Sequence, residues 1–134
     1  MINSYPDLIH AACHQPLPQR LLFVFCRAEL PEDASESERR AFEAGEGGAL
    51  VPVVCVDKLP QEVVEFDRLR EESRHTGQAW DIVFVAAMEG RGGVAPSSDE
   101  AQQPLTMMVE TLRLGQPGNY LPFDQNGELV SLGP

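Results

Sequence analysis

Three stretches of this chain are apolar almost without a break: Leu21-Leu22-Phe23-Val24-Phe25-Cys26, Leu50-Val51-Pro52-Val53-Val54-Cys55-Val56 and Ile82-Val83-Phe84-Val85-Ala86-Ala87-Met88. Such runs suit strands covered on both faces and predict strands over 20–30, 50–56 and 81–88. Pro52 lacks the amide hydrogen that a central ladder needs, so the second run belongs at a sheet edge or at a bulge. Between the runs the spacing turns helical. Ser4 caps a first helix, Pro6 fits its first turn, and Leu8, Ile9, Ala12 and Cys13 share a side before Pro16 and Pro18 end it. Ser35 and Glu38 have capping-box spacing ahead of a short helix that Gly45 ends. Pro60 opens a third helix, with Val63, Phe66 and Leu69 on one side and charges on the other as far as Gly77.

Ser97 and Glu100 repeat the capping box before Leu105, Met108, Val109 and Leu112. Pro104 falls inside that segment and predicts a kink, or a detached first turn with the main helix starting near Pro104. Asn126-Gly127, between Tyr120–Asp124 and Glu128–Leu132, is the turn signal of a hairpin. The order α, β, α, β, α, β, α, β, β reads as βαβ units. It predicts an α/β fold over 1–134: a single-domain layered sandwich with a mixed, mostly parallel sheet of about five strands, a C-terminal β-hairpin and flanking helices. No repeat or linker divides the chain.

At 134 residues the chain can bury most of its apolar surface without staples. Ten Lys and Arg against twenty-one Asp and Glu give a formal charge of −11. A surface of that sign repels phosphate backbones and anionic membranes, so neither nucleic acid nor membrane is an expected partner. No segment approaches the roughly 20 apolar residues of a membrane span, and the N-terminus lacks the pattern of a secretory signal. The expected location is cytoplasmic. Cys13, Cys26 and Cys55 are odd in number and lack C-x-x-C spacing, so they read as free thiols. Cys26 and Cys55 lie within apolar runs, which predicts burial and low reactivity.

The motifs that carry chemistry are sparse. Gly90-x-Gly92-x-x-Ala95 formally satisfies the relaxed dinucleotide fingerprint after a strong strand, but Pro96 follows at once and no second strand ends in an acid about 20 residues on. No phosphate-binding loop, nucleophile elbow or metal-ligand spacing is present, and His10 and His14 have no acid completing an H-E-x-x-H arrangement. No cofactor or metal is expected. What remains is two glycine-rich loops and the charges beside them. Gly92 and Gly93 next to Arg91 could form an anion site or merely a turn that needs positive φ. If the second and third strands run in the same direction, Asp57, Lys58, Glu89 and Arg91 emerge at one edge of the sheet, with Asp57-Lys58 near the Gly45–Gly48 loop.

Gly-Glu-Gly-Gly-Ala-Leu at 45–50, Val-Asp-Lys-Leu-Pro at 56–60, and Trp-Asp-Ile-Val-Phe-Val-Ala-Ala at 80–87 with Gly90-Arg91-Gly92-Gly93 give a chain that resembles a small uncharacterised proteobacterial family. The likeness covers nearly the whole chain. Members of that family often circulate under the label "ribonucleotide reductase subunit alpha". The label does not carry over as an activity. A reductase catalytic subunit is several times longer and has a radical-bearing cysteine with a facing redox pair, motifs that Cys13, Cys26 and Cys55 do not match. The resemblance implies a bacterial cytosolic protein whose recurrent features are the two glycine loops.

These readings converge on a non-catalytic binding or interaction module, a homodimer that engages a protein or a small metabolite through Gly47, Gly48, Asp57, Lys58, Glu89, Arg91, Gly92 and Gly93. Pro52 at an edge strand and the hairpin residues Tyr120, Leu121 and Phe123 are the expected dimer contacts. The competing reading is a small enzyme with Asp57, Glu89 and Arg91 in acid-base or anion-binding roles.

Overall fold

The two strongest apolar runs occupy the centre of one sheet. In the computed structural model, which describes residues 2–44, 48–116 and 120–131, the chain runs α1 (Tyr5–Cys13), β1 (Gln19–Glu29), α2 (Glu36–Glu43), β2 (Ala49–Lys58), a 3₁₀ turn (Pro60–Glu62), α3 (Phe66–Arg74), β3 (Ile82–Glu89), α4 (Ser98–Arg113) and β4 (Leu121–Phe123). The strand order is β2-β1-β3-β4, and every neighbouring pair is antiparallel. No helix among the described residues is long and apolar enough to cross a membrane.

The expectation of a mostly parallel sheet of about five strands is therefore overturned. The unbroken apolar runs did signal burial on both faces: Leu21 to Cys26 are 3% exposed or less. The error lay in reading every intervening helix as a crossover. None of the residues of α2 is buried, so it does not cover the sheet, and β1-α2-β2 is a long-looped hairpin. The connection through α3 does cross over, because β2 and β3 are each antiparallel to β1 and so share a direction, with β1 between them. The fifth strand shrinks to a single bridge between Phe123 and Leu129.

Parity along the strands sorts the core into two layers. Leu21, Phe23, Phe25, Val83, Val85 and Phe123 meet α1 and α3, while Leu22, Val24, Cys26 and Phe84 meet Ala101, Leu105, Met108 and Leu112 of α4. Tyr5 anchors the first layer. It meets Phe66 and Phe123 edge-on, with centroids 5.0 and 5.7 Å away, and its hydroxyl donates to the Val63 carbonyl at 2.6 Å. That bond corrects the predicted third helix. The segment opens as a 3₁₀ turn at Pro60, breaks at Val63, where the carbonyl is turned toward Tyr5, and restarts at Phe66. The helix ends at Arg74, three residues before the expected Gly77, which closes the turn that follows it with φ +74°. Trp80 packs on Phe25 and donates from Nε1 to the Ser73 hydroxyl at 2.8 Å.

The helix starts agree with the capping signals. Ser4, Ser35 and Ser97 each accept the expected backbone amide, and the boxes at Ser35/Glu38 and Ser97/Glu100 are both closed. The first turn of α4 is not detached at Pro104. The helix passes through it unbroken, because the buried stripe from Ala101 to Leu112 continues on both sides of the one lost hydrogen bond. Pro52 lies on an edge strand and faces Cys26, where the β1–β2 register shifts by a bulge. The turn at Asp124 to Gly127 is a type I turn closed by a left-handed glycine, not the turn that Asn-Gly at its centre would give. Only glycines have positive φ among the described residues, Gly127 N–H donates to the Asp124 carbonyl, and the Asp124 carboxylate accepts the amides of Asn126 and Glu128. A Cβ on Gly127 would also stand 2.9 Å from the Phe66 ring.

Candidate functional site

Because β2 and β3 share a direction, their C-terminal ends lie at the same end of the sheet, flanking the start of β1: Leu21 pairs with Lys58 on one side and Ala87 on the other. Asp57, Lys58, Glu89 and Arg91 therefore do gather at one end, but not into one site. Asp57 lies opposite Leu22 and so faces the α4 layer, whereas Lys58 and Glu89 have the parity of Leu21 and Ala87 and face the α3 layer. The Asp57 and Glu89 side chains point to opposite faces of the sheet.

Asp57 is fully engaged. One carboxylate oxygen accepts Arg20 Nη1 at 2.7 Å and the other accepts the Ser98 hydroxyl at 2.9 Å, while Arg20 Nε donates to the Pro96 carbonyl at 2.6 Å. The pair is mostly enclosed, with side-chain exposures of 14% and 12%. This cluster locks the sheet to the start of α4. The sequence reading missed Arg20 although a signal was available, since a lone guanidinium entering an apolar central strand requires a nearby acid.

The Gly90–Gly93 loop is a tight hairpin. Arg91 and Val94 exchange both backbone hydrogen bonds at 3.0 Å, and Gly92 and Gly93 between them have φ +58° and +78°, the pattern of a type I′ turn. Gly90 is required for a different reason, since a Cβ there would lie 2.0 Å from the Val94 carbonyl oxygen. The glycines thus build the turn, and Arg91 and Val94 are displayed on it, Val94 being 68% exposed. Among the described residues Arg91 and Glu89 have no ion-pair partner.

Lys58 belongs to a separate feature. Its ammonium pairs with Glu72 at 3.0 Å, and the two border an open hollow of about 530 Å³ also lined by Glu62, Arg68, Glu71 and His75. Each carboxylate there has a partner: Glu62 accepts the Leu59 amide at 2.8 Å and Glu71 pairs with Arg74 at 3.0 Å. Arg68 has no ion-pair partner among the described residues. Arg68, Glu72 and His75 lie at i, i+4 and i+7 of one helical stripe, a spacing visible in the sequence but read there only as a solvated face.

Gly48 is at the far end of β2 from Lys58, ten residues or roughly 30 Å away, so the expected nearness of Asp57-Lys58 to the Gly45–Gly48 loop is corrected. Gly48 has φ +85°, and a Cβ there would meet the Phe42 ring at 2.7 Å. Gly45, expected to end α2, and Gly47 lie outside the described residues. Cys26 is buried as expected, and burial pushes its thiol up to about 12. Cys55 is exposed, contrary to expectation, because its apolar run forms an edge strand rather than a central one.

No known family model, curated protein or solved structure matches this chain.

Proposed function

We propose that this protein is a non-catalytic binding module that engages a protein partner through the hairpin at Gly90–Val94. The observation that carries this reading is the display of Arg91 and Val94 on a two-residue turn of fixed geometry, both exposed, with Arg91 free of any ion pair among the described residues. A short rigid tip loses little conformational freedom on docking, and an arginine beside an apolar side chain is a favoured anchor at interfaces. Arg91 is a cation on a chain of charge −11, so the complementary surface is acidic at its centre. An acid-base role for Asp57, Glu89 and Arg91 has less support, since Asp57 is held by Arg20 and Ser98 on the opposite face from Glu89. Quantitative affinity capture from a bacterial lysate with wild type and Arg91→Glu tests the reading. Proteins retained by wild type and lost with the variant support it, and an identical retained set overturns it.

A second reading rests on the hollow beside Lys58. Its lining carries both signs of charge, which suits a small zwitterion such as a free amino acid. Titration of isotopically labelled protein with millimolar glutamate tests it, with shifts confined to Lys58, Arg68 and His75 expected and an unchanged spectrum overturning it.

A further inference from the structure

None of the ten residues of β2 is buried, whereas Leu21 to Cys26 of its neighbour β1 are almost wholly enclosed. The composition of β2 is nevertheless that of an inner strand. From Ala49 to Val56 it carries no charge; Val53, Val54 and Val56 are half-buried against the Tyr5 layer of the core, and among the described residues β2 has β1 on one side and no strand on the other. A long apolar edge strand is a template for further pairing unless something blocks it. Pro52 and the bulge beside it block only the first half. Val53 to Lys58 retain every amide.

We propose that the Val53–Lys58 half of β2 pairs antiparallel with the same segment of a second copy of this chain, joining two four-stranded sheets into one of eight strands. Three features favour a second copy over a foreign strand. The contact run is uncharged, so two molecules of charge −11 can meet there without opposing like charges. The charges that end the strand are compensated within each chain, Asp57 by Arg20 and Lys58 by Glu72. A two-fold axis also requires a self-complementary patch, and facing valines on antiparallel strands form one. Because α4 packs over β2, the same axis brings α4 beside its copy, and α4 and its C-cap carry the exposed Met107 and Leu114, 62% and 73% accessible.

Cys55 reports on the contact, being exposed and near the middle of the pairing segment. Antiparallel pairing about a nearby axis brings the two Cys55 residues within a few ångströms to about 10 Å of each other. The test is sedimentation velocity of wild type and Cys55→Lys at roughly 50 µM, a range that detects weak association, together with a short bis-maleimide crosslinker on Cys13→Ser protein. A wild-type dimer, a monomeric Cys55→Lys variant of unchanged circular dichroism, and a covalent dimer formed through Cys55 are expected. A wild-type monomer, or a dimer that persists in Cys55→Lys and does not crosslink through Cys55, overturns the proposal. The crosslink reads the contact even if the lysine variant fails to fold.

Discussion

Arg20 joins three elements through a single guanidinium: it reaches Asp57 across the β1–β2 pair and the Pro96 carbonyl at the approach to α4, while Asp57 also holds Ser98. Removing either charge leaves the other mostly enclosed without its partner. Arg20→Ala and Asp57→Ala should each lower stability by about 1 to 3 kcal/mol, between the values typical of exposed and buried pairs. Urea denaturation of the two single variants and the double variant checks this. The double variant should lose clearly less than the sum, since the two residues share one interaction.

Tyr5→Phe retains the aromatic contacts with Phe66 and Phe123 and deletes only the bond to Val63. The buried carbonyl then lacks its donor, at a cost of about 1 to 2 kcal/mol. The same denaturation measurement applies. An unchanged midpoint would mean that the break between the 3₁₀ turn and α3 does not depend on that hydroxyl.

At the β3 hairpin the glycines and the arginine should behave oppositely. Gly90→Ala forces a Cβ against the Val94 carbonyl and should cost about 2 kcal/mol or more. Arg91→Ala should stay within about 0.5 kcal/mol of wild type, as expected for an exposed residue outside the core. Thermal melts of the two variants side by side separate structural from recognition residues in the loop.

Native protein at low concentration should label rapidly with a thiol reagent at Cys13 and Cys55 and slowly at Cys26. The first two are exposed, and the third is buried with its thiol held in the neutral form. Mass spectrometry before and after denaturation counts two labels and then three.

Burial raises the Cys26 thiol to about 12 and the Tyr5 phenol above its ordinary value. A raised folded-state value means that the native protein keeps a proton which the unfolded chain releases. The Cys26 contribution is thus complete below the ordinary thiol value of about 8.5 and lost as pH rises toward 12, and the Tyr5 contribution is complete below the ordinary phenol value of about 10 and lost only above it. At the acid end the sign reverses. Backbone and side-chain hydrogen bonds with Ser35 lower the Glu38 carboxyl, so its capping contribution is present above the ordinary glutamate value and lost as pH falls through the depressed one. Chemical denaturation at stepped alkaline pH, and a carboxyl NMR titration of Glu38, read the two effects.

Local signals in the sequence were dependable where the chemistry is local. The Ser35/Glu38 and Ser97/Glu100 boxes and the edge position of Pro52 each depend on residues within a turn or on one missing donor. Strand direction was not legible, because it depends on whether a helix packs on the sheet. The sequence of α2 shows a helix but not that it buries nothing. The break at Val63 escaped notice for a related reason, since the hydroxyl that holds its carbonyl lies 58 residues away. For the site, strand direction brought Asp57, Lys58, Glu89 and Arg91 to one end, as anticipated, but residue parity then divided them between faces. The bulge that changes parity in β2 leaves little trace in composition beyond Pro52.

The order β2-β1-β3-β4 has a consequence for a chain that emerges from its N-terminus. Of the four described strands the earliest in the chain is a central one, and each later strand joins one that already exists: β2 on one flank of β1, β3 on the other, then β4 on β3. No strand has to be inserted between two that have already paired. Growth during translation can proceed outward from β1, so both edges of β1 and the free edge of β3 are covered as soon as their partners leave the ribosome, at about 5 to 20 residues per second, and the outer edge of β2 is left open.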